Sequence, residues 1–328
     1  MWPLCARMKI AFSPSVYEHA ALLIGATPWE VSRSGELIER AHRTAYQTYA
    51  HSPVVVGIDI YNLEAEAYGC RVQEPGGNGI PAIVSGIFSS IEETRRLRPF
   101  DPATSGRVPM VIDAAGRLAR SLPQARVLVP LSGPFSIAAS LRGLSGLLED
   151  LVCSPPAVRD FLLRLVEGQV RFARAARQAG LDVAFFESAA APPLLSPQQF
   201  GDVELPALAA TMRRVSDAVG HPVPCIIGGD TEQILEHILG TGTSYVICPA
   251  ETDQNAFMAR LGQRDDVAVR VNIDPLTVAR GPLSRICAEV DRIVHLARGR
   301  SNVLLGTGAL PYETPPEHVL AIKRYAEE

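Results

Sequence analysis

Lysine is almost missing from this 328-residue chain: Lys9 and Lys323 are its two lysines, and arginine carries the other positive charge. Schiff-base chemistry needs a lysine in a desolvated pocket, so that mechanism has two candidates, both near the chain ends. Cysteine motifs are missing too. Cys5, Cys70, Cys153, Cys225, Cys248 and Cys287 are scattered, with no C-x-x-C, which excludes a zinc ribbon and argues against a disulfide framework. No apolar run approaches the ~20 residues that span a bilayer. The first residues hold no secretory apolar segment, so the expectation is a cytoplasmic protein without a membrane partner. A formal net charge of −4 leaves no basic surplus for neutralising phosphates, so nucleic acid is not an expected partner. Neither G-x-G-x-x-G nor G-x-x-x-x-G-K-[ST] occurs, which removes the phosphate-cradling nucleotide folds. There is no G-x-S-x-G elbow and no histidine at a predicted strand end, which argues against a hydrolytic triad.

Short apolar runs are what the chain does have. Val54–Ile60, Val127–Leu131, Val183–Glu187, Val223–Ile227, Ser244–Cys248, Val267–Ile273 and Asn302–Gly306 read as buried strands, each bounded by Gly, Pro or polar turns. Amphipathic helices are predicted between them, over Ala157–Ala179, Pro197–Val219, Thr231–Leu239, Leu283–Ala297 and Pro316–Tyr325. Ser196 stands where an N-cap belongs, with proline at the first helical position. Glu64–Ile83 holds several Gly and Pro residues and reads as a hairpin or long loop. Strands alternating with helices imply a parallel sheet with crossover helices. The expected fold is α/β, a (β/α)8 TIM barrel with an N-terminal helical extension. Residues 1–50 form that extension and 51–328 the barrel, in one domain.

A barrel places its active site where strands end, so the strand-end residues are the candidates. Asp59, Tyr61 and Asn62 follow the first apolar run, and the second is followed by Ser132-Gly133-Pro134-Phe135-Ser136. Glu187 and Ser188 follow the third, Asp230 the fourth. Arg270, Asn272 and Asp274 come from Val267–Ile273 and its end, Thr307 from the last run. The result is an acidic, amide-rich mouth with Arg270 as one cation. Carboxylates in a partly desolvated mouth can act as acid or base. Asp230 and Asp274 also stand at helix N-cap positions, and Glu64 and Glu66, in a predicted loop, read as solvated. Cys225 and Cys248 lie in neighbouring strands and are candidate metal ligands, although buried cysteine is usually structural.

Six ordered segments carry a resemblance: EAEAYGCRV at 64–72, GPFS at 133–136, FES at 186–188, GGDTEQIL at 228–235, VNIDP at 271–275 and LLGTGALPYETPPEHV at 304–319. Together they resemble the uroporphyrinogen decarboxylase superfamily, which implies a (β/α)8 barrel. The resemblance implies one of two activities. The first is cofactor-independent decarboxylation of uroporphyrinogen. The second is methyl transfer with a corrinoid protein, often to a thiol activated by zinc. Asp59 matches the decarboxylase's pyrrole-binding aspartate, and Ser188 also matches. Its substrate-clamping N-terminal Arg motif is not visible. Ser140 stands for its aromatic hydroxyl and Thr307 for its histidine. The methyltransferase branch's His-x-Cys and later Cys are replaced by Ile226, Gly228 and Ala309.

The expected function is therefore a methyltransferase acting with a corrinoid protein or cobalamin, without the usual zinc set. Asp59 and Glu187 are its expected catalytic groups. Tyr61, Asn62, Phe135, Ser188, Asp230, Arg270, Asn272 and Thr307 are its expected substrate-binding residues. Expected partners are a small methyl donor or acceptor, a corrinoid protein and a second copy of the chain. Two alternatives stay open: a divergent decarboxylase or lyase of a carboxylated substrate, and a non-catalytic barrel that binds a tetrapyrrole or corrinoid.

Overall fold

The computed structural model describes residues 9–327. Among them are eight parallel strands: β1 (Phe12–Ser15), β2 (Val54–Val55), β3 (Val127–Ser132), β4 (Asp182–Glu187), β5 (Cys225–Ile227), β6 (Tyr245–Cys248), β7 (Ala268–Ile273) and β8 (Val303–Ala309). They pair as two four-stranded sheets, β2–β3–β4–β5 and β6–β7–β8–β1. Register runs from Val54 opposite Val127, through Val129 opposite Val183, to Phe185 opposite Cys225 in the first sheet. In the second, Val246 faces Val269, Val271 faces Leu305, and Leu305 faces Phe12. Thr243 links the sheets between β5 and β6: its hydroxyl accepts from the Cys225 amide at 3.0 Å and donates to the Val223 carbonyl at 2.9 Å. The architecture is the (β/α)8 barrel.

Parallel strands are covered on both faces, so they read as apolar runs. Side chains alternate across each strand. Along β4, Val183 and Phe185 join the large core packed between strands and helices, while Ala184 and Phe186 join a small cluster with Ile60 and Leu128. Tyr17, Tyr61 and Ile226 pack on that small cluster, which fills only part of the barrel interior.

The first strand shifts the expected boundary. Residues 1–50 do hold helices, the longest at Gly35–Tyr49, but Phe12–Ser15 is a barrel strand hydrogen-bonded to β8. Sequence patterning misses it because Phe-Ser-Pro-Ser is not an apolar run. The expected strand 54–60 is shorter than expected. Only Val54–Val55 pair, and the chain then turns through the helical segment Ile60–Ala67 into an antiparallel hairpin, Val72–Gln73 with Ala82–Ile83. The C-terminal strand of that hairpin leans over the barrel mouth.

Helix starts follow the local sequence. Ser196 caps with its hydroxyl on the Gln199 amide, and the Gln199 side chain returns to the Ser196 amide. Asp274 caps the helix Pro275–Arg280. The helix begun at Pro197 is not uniform, because Phe200–Glu204 forms a π-helical turn before Leu205–Val219 continues as α. No helix among the described residues is long and apolar enough to cross a membrane.

Candidate active site

A cavity of about 470 Å³ lies over the C-terminal strand ends. Its walls are mainly apolar, with Ile58, Ile60, Ile80, Ile83, Ile226 and Ile247 among them. Its polar groups come from Tyr17, Glu18, Asp59, Tyr61, Asn62, Glu251, Arg270 and Asn272.

Asp59 is at the wall but is not free. Both carboxylate oxygens accept from Arg107, at 2.8 and 2.7 Å, and Asn62 Nδ2 donates to Oδ2 at 3.0 Å. Arg107 is itself buried and reaches Glu66 with Nε at 2.5 Å. With both oxygens committed to the guanidinium, Asp59 anchors Arg107 at the cavity wall. Arg107 lies 48 residues downstream in a loop-like segment that gives no sequence signal. Glu66 is the third member of this ion network and is also held by Arg33.

Glu187 is fully buried and lies outside the cavity wall. Oε2 accepts from the Phe135 and Ser136 amides, both at 3.1 Å, and Oε1 accepts from the Ala189 amide at 2.9 Å and the Ser136 hydroxyl. The first two amides open the helix Pro134–Arg142, where unsatisfied N–H groups and the helix dipole favour an anion. Gly133 is required there, since a Cβ on it would collide with the Glu187 carboxylate. Burial raises the Glu187 carboxyl and the hydrogen bonds oppose that. The π-helical turn places Glu204 beside it. Neither Glu204 oxygen receives a donor, and burial with the neighbouring Glu187 holds its carboxyl well above the usual range. Each of these two buried carboxyls disfavours ionisation of the other. Glu187 does not line the cavity, and its hydrogen bonds hold the start of the helix Pro134–Arg142 against β4.

The remaining candidates divide. Tyr61, Asn62, Arg270 and Asn272 line the cavity. Phe135 does not: its side chain is fully buried in the large core, because a helix's first turn over β3 points inward. Ser188 is exposed in a shallow cleft with Ser136 and Ser140. Asp230 neither caps a helix nor faces the cavity; it accepts from the Thr252 hydroxyl at 2.8 Å. Thr307 is buried and ties β8 to β1, its hydroxyl accepting from the Ser15 amide at 3.2 Å. Glu64 is not solvated but buried, accepting from the Ser132 amide and hydroxyl, each at 2.7 Å.

Two buried ionisable residues of the cavity stand out because neither has an ion-pair partner among the described residues. Glu18, just after β1, is buried, and burial pushes its carboxyl up to about 7, with Glu313 adding to the rise. Sequence patterning passes over it because β1 itself is not legible. Arg270 is buried, donates from Nε to Asn272 Oδ1 at 3.0 Å and reaches the Ser13 carbonyl at 3.4 Å. It has no carboxylate partner among the described residues. Gly306 leaves room for it, since a Cβ there would collide with the Arg270 side chain.

Cys225 and Cys248 are buried, and burial raises both thiols, so they are neutral and inert at ordinary pH. No group of three His, Cys, Asp or Glu side chains with metal-ligand geometry occurs among the described residues. Neither cysteine therefore gathers the further ligands a metal site needs.

An eight-stranded parallel barrel with a small-molecule cavity over its strand ends defines the general class, a TIM-barrel protein with its site at the C-terminal face. The chain belongs to the uroporphyrinogen decarboxylase (URO-D) family, whose sequence profile matches residues 10–328. Among solved structures it is similar to a methyltransferase from Methanosarcina mazei, at 20% identity over 99% of this chain and 94% of that one, TM-score 0.82. It is also similar to a B12-independent methionine synthase from Shewanella sp. W3-18-1, at 11% identity over 98% and 96% of the two chains, TM-score 0.55. No relative was matched among curated proteins. At these identities the structural likeness establishes the fold.

The fold does bring together the three positions that would hold zinc in the methyltransferase branch. Ile226, Gly228 and Ala309 all line the cavity. An isoleucine, a glycine and an alanine supply no ligand atom, so the residues present do not fit that zinc.

Proposed function

We propose that this protein is a methyltransferase that moves a methyl group between a small molecule in the cavity and the cobalt of a corrinoid presented at the mouth. The observation that carries the reading is the cavity itself. It is apolar, about 470 Å³, and so fits a small molecule but not a macrocycle. A corrinoid could therefore only cover the opening. The same size argues against decarboxylation of a tetrapyrrole, as does the binding of Asp59 to Arg107, which occupies both oxygens that a pyrrole N–H would need.

A corrinoid, when bound, supplies the methyl-donating or methyl-accepting centre. The chain's own residues do the rest. Glu18 exchanges a proton with the heteroatom that gains or loses the methyl group, and its value of about 7 suits either direction near neutral pH. Arg270, oriented by Asn272, holds an electron-rich part of the molecule. The isoleucine walls exclude water and strengthen both interactions. Tyr61 packs on the small interior cluster beside Phe186 and fixes the side wall.

The test is an absorbance assay. Purified protein is mixed with methylcobalamin and a panel of thiols and tetrahydrofolate, and with cob(I)alamin and simple methyl donors. The expected result is a protein-dependent interconversion of the two spectra, slowed at least about a hundredfold by Glu18→Gln. Absence of any protein-dependent change in both directions overturns the reading.

A further inference from the structure

Barrel interiors of this fold are normally packed with side chains. Here a second chamber of about 280 Å³ lies beneath the mouth cavity, toward the N-terminal strand ends. Residues that open the strands line it: Val55 of β2, Leu128 of β3, Tyr245 of β6 and Leu304 of β8. Ser15, Tyr17, Ile226 and Arg270 belong to both spaces, so Arg270 forms part of the partition.

The two spaces differ in charge. Three carboxylates line the upper one, from Glu18, Asp59 and Glu251. Among the residues lining the lower one there is no carboxylate, while Arg126 and Arg270 both reach it. Arg126 is compensated at the surface by Asp182, at 2.5 Å. Arg270 is not, and a buried cation without a counter-ion is costly. Two groups at the same chamber are unsatisfied. The Tyr245 hydroxyl and His51 Nδ1 are buried without a hydrogen-bond partner. Most of the other wall is hydrocarbon: Pro14, Val16, Pro53, Leu128, Pro224 and Leu304.

We infer that this lower chamber is a binding site for a small organic monocarboxylate, its head held by Arg270 and the Tyr245 hydroxyl and its apolar body against the proline and leucine walls. One uncompensated guanidinium matches one negative charge. Inorganic phosphate would leave the apolar walls unfilled and would bring more charge than the donors balance. The site shares Arg270 with the methyl-transfer reading, but Tyr245 lines only the lower chamber and Ile80 only the upper cavity, so binding to the Tyr245 and Ile80 variants tests this site whether or not methyl transfer is observed.

The experiment is a ligand-observed NMR titration of the purified protein with sodium benzoate, at constant ionic strength, beside neutral benzamide and inorganic phosphate. Benzoate is expected to bind saturably, with benzamide and phosphate at least about tenfold weaker, the step expected from losing one charge-assisted hydrogen bond. Tyr245→Phe, which keeps the ring, should weaken benzoate by about tenfold, and Arg270→Gln by more. Ile80→Ala, which alters only the upper cavity, should leave benzoate binding unchanged. Three results each overturn the inference: no saturable benzoate binding, benzamide binding equally well, or Ile80→Ala weakening benzoate while Tyr245→Phe does not.

Discussion

The two sheets of the barrel treat their buried charges in opposite ways. Around the sheet β2–β5, three buried carboxylates meet donors that the fold supplies, Arg107 for Asp59, Ser132 for Glu64 and the amides of a helix start for Glu187, and Glu204, set back from the cavity beside Glu187, is the exception. Around the sheet β6–β7–β8–β1, Arg270 has no carboxylate partner among the described residues, and the one backbone hydrogen bond at Glu18 does not outweigh its burial. Satisfied groups hold a structure together. Unsatisfied ones lower its stability and persist where a ligand is to complete them. The difference separates scaffold from site more sharply than residue type does, since both sheets carry carboxylates near the mouth.

The largest expected effect tests the satisfied sheet. Arg107→Met leaves Asp59 and part of the Glu66 charge buried without a partner, and should lower the unfolding free energy by about 3–5 kcal/mol in urea denaturation. A smaller loss would mean that the ion network is not the support this geometry implies.

Next comes Glu18. Its carboxyl rises from 4.5 in the unfolded chain to about 7 in the fold, so between those values the folded protein keeps a proton that the unfolded chain releases. Stability is therefore highest below 4.5, falls as pH rises toward 7, and levels off above it. The total is on the order of 3 kcal/mol. Glu18→Gln should remove this part of the pH dependence and be the more stable protein at pH 8. Thermal denaturation across pH 4–8 checks it, and an unchanged slope would show that Glu18 is solvated.

Glu187→Gln should cost about 1–3 kcal/mol, because its amide can turn a donor against the Phe135 or Ser136 N–H. Its effect on turnover should follow from altered positioning, with the pH profile of catalysis unmoved, whereas Glu18→Gln should flatten that profile. A profile shifted equally by both would erase the distinction between the sheets. The smallest effect belongs to Arg270→Met. Removing an uncompensated buried cation should leave unliganded stability within about 1 kcal/mol or raise it, against the loss expected for Arg107. A loss as large as that of Arg107 would make Arg270 part of the scaffold.

Much of the fold is legible from sequence because the barrel buries its strands on both faces. Six of the seven expected runs, from Val127 onward, fall on observed strands. The exceptions have local causes. β1 contains two serines and a proline, and the run at 54–60 spends most of its length in a turn. The π-helical turn at Phe200–Glu204 leaves no periodicity signal because its flanks remain helical.

The site was less legible. Tyr61, Asn62, Arg270 and Asn272 reach the cavity as strand-end residues should. Phe135, Asp230 and Thr307 share that position but turn to the core, to Thr252 and to Ser15. The sequence by itself determined the parallel barrel and its mouth, because periodic burial is a local property of each run. Only the tertiary structure decided which charges are spent on the scaffold. Arg107 lies 48 residues from Asp59, Ser136 lies 51 from Glu187, and Ser13 lies 257 from Arg270. Whether a buried charge is free depends on partners that distant, and spacing along the chain does not encode them.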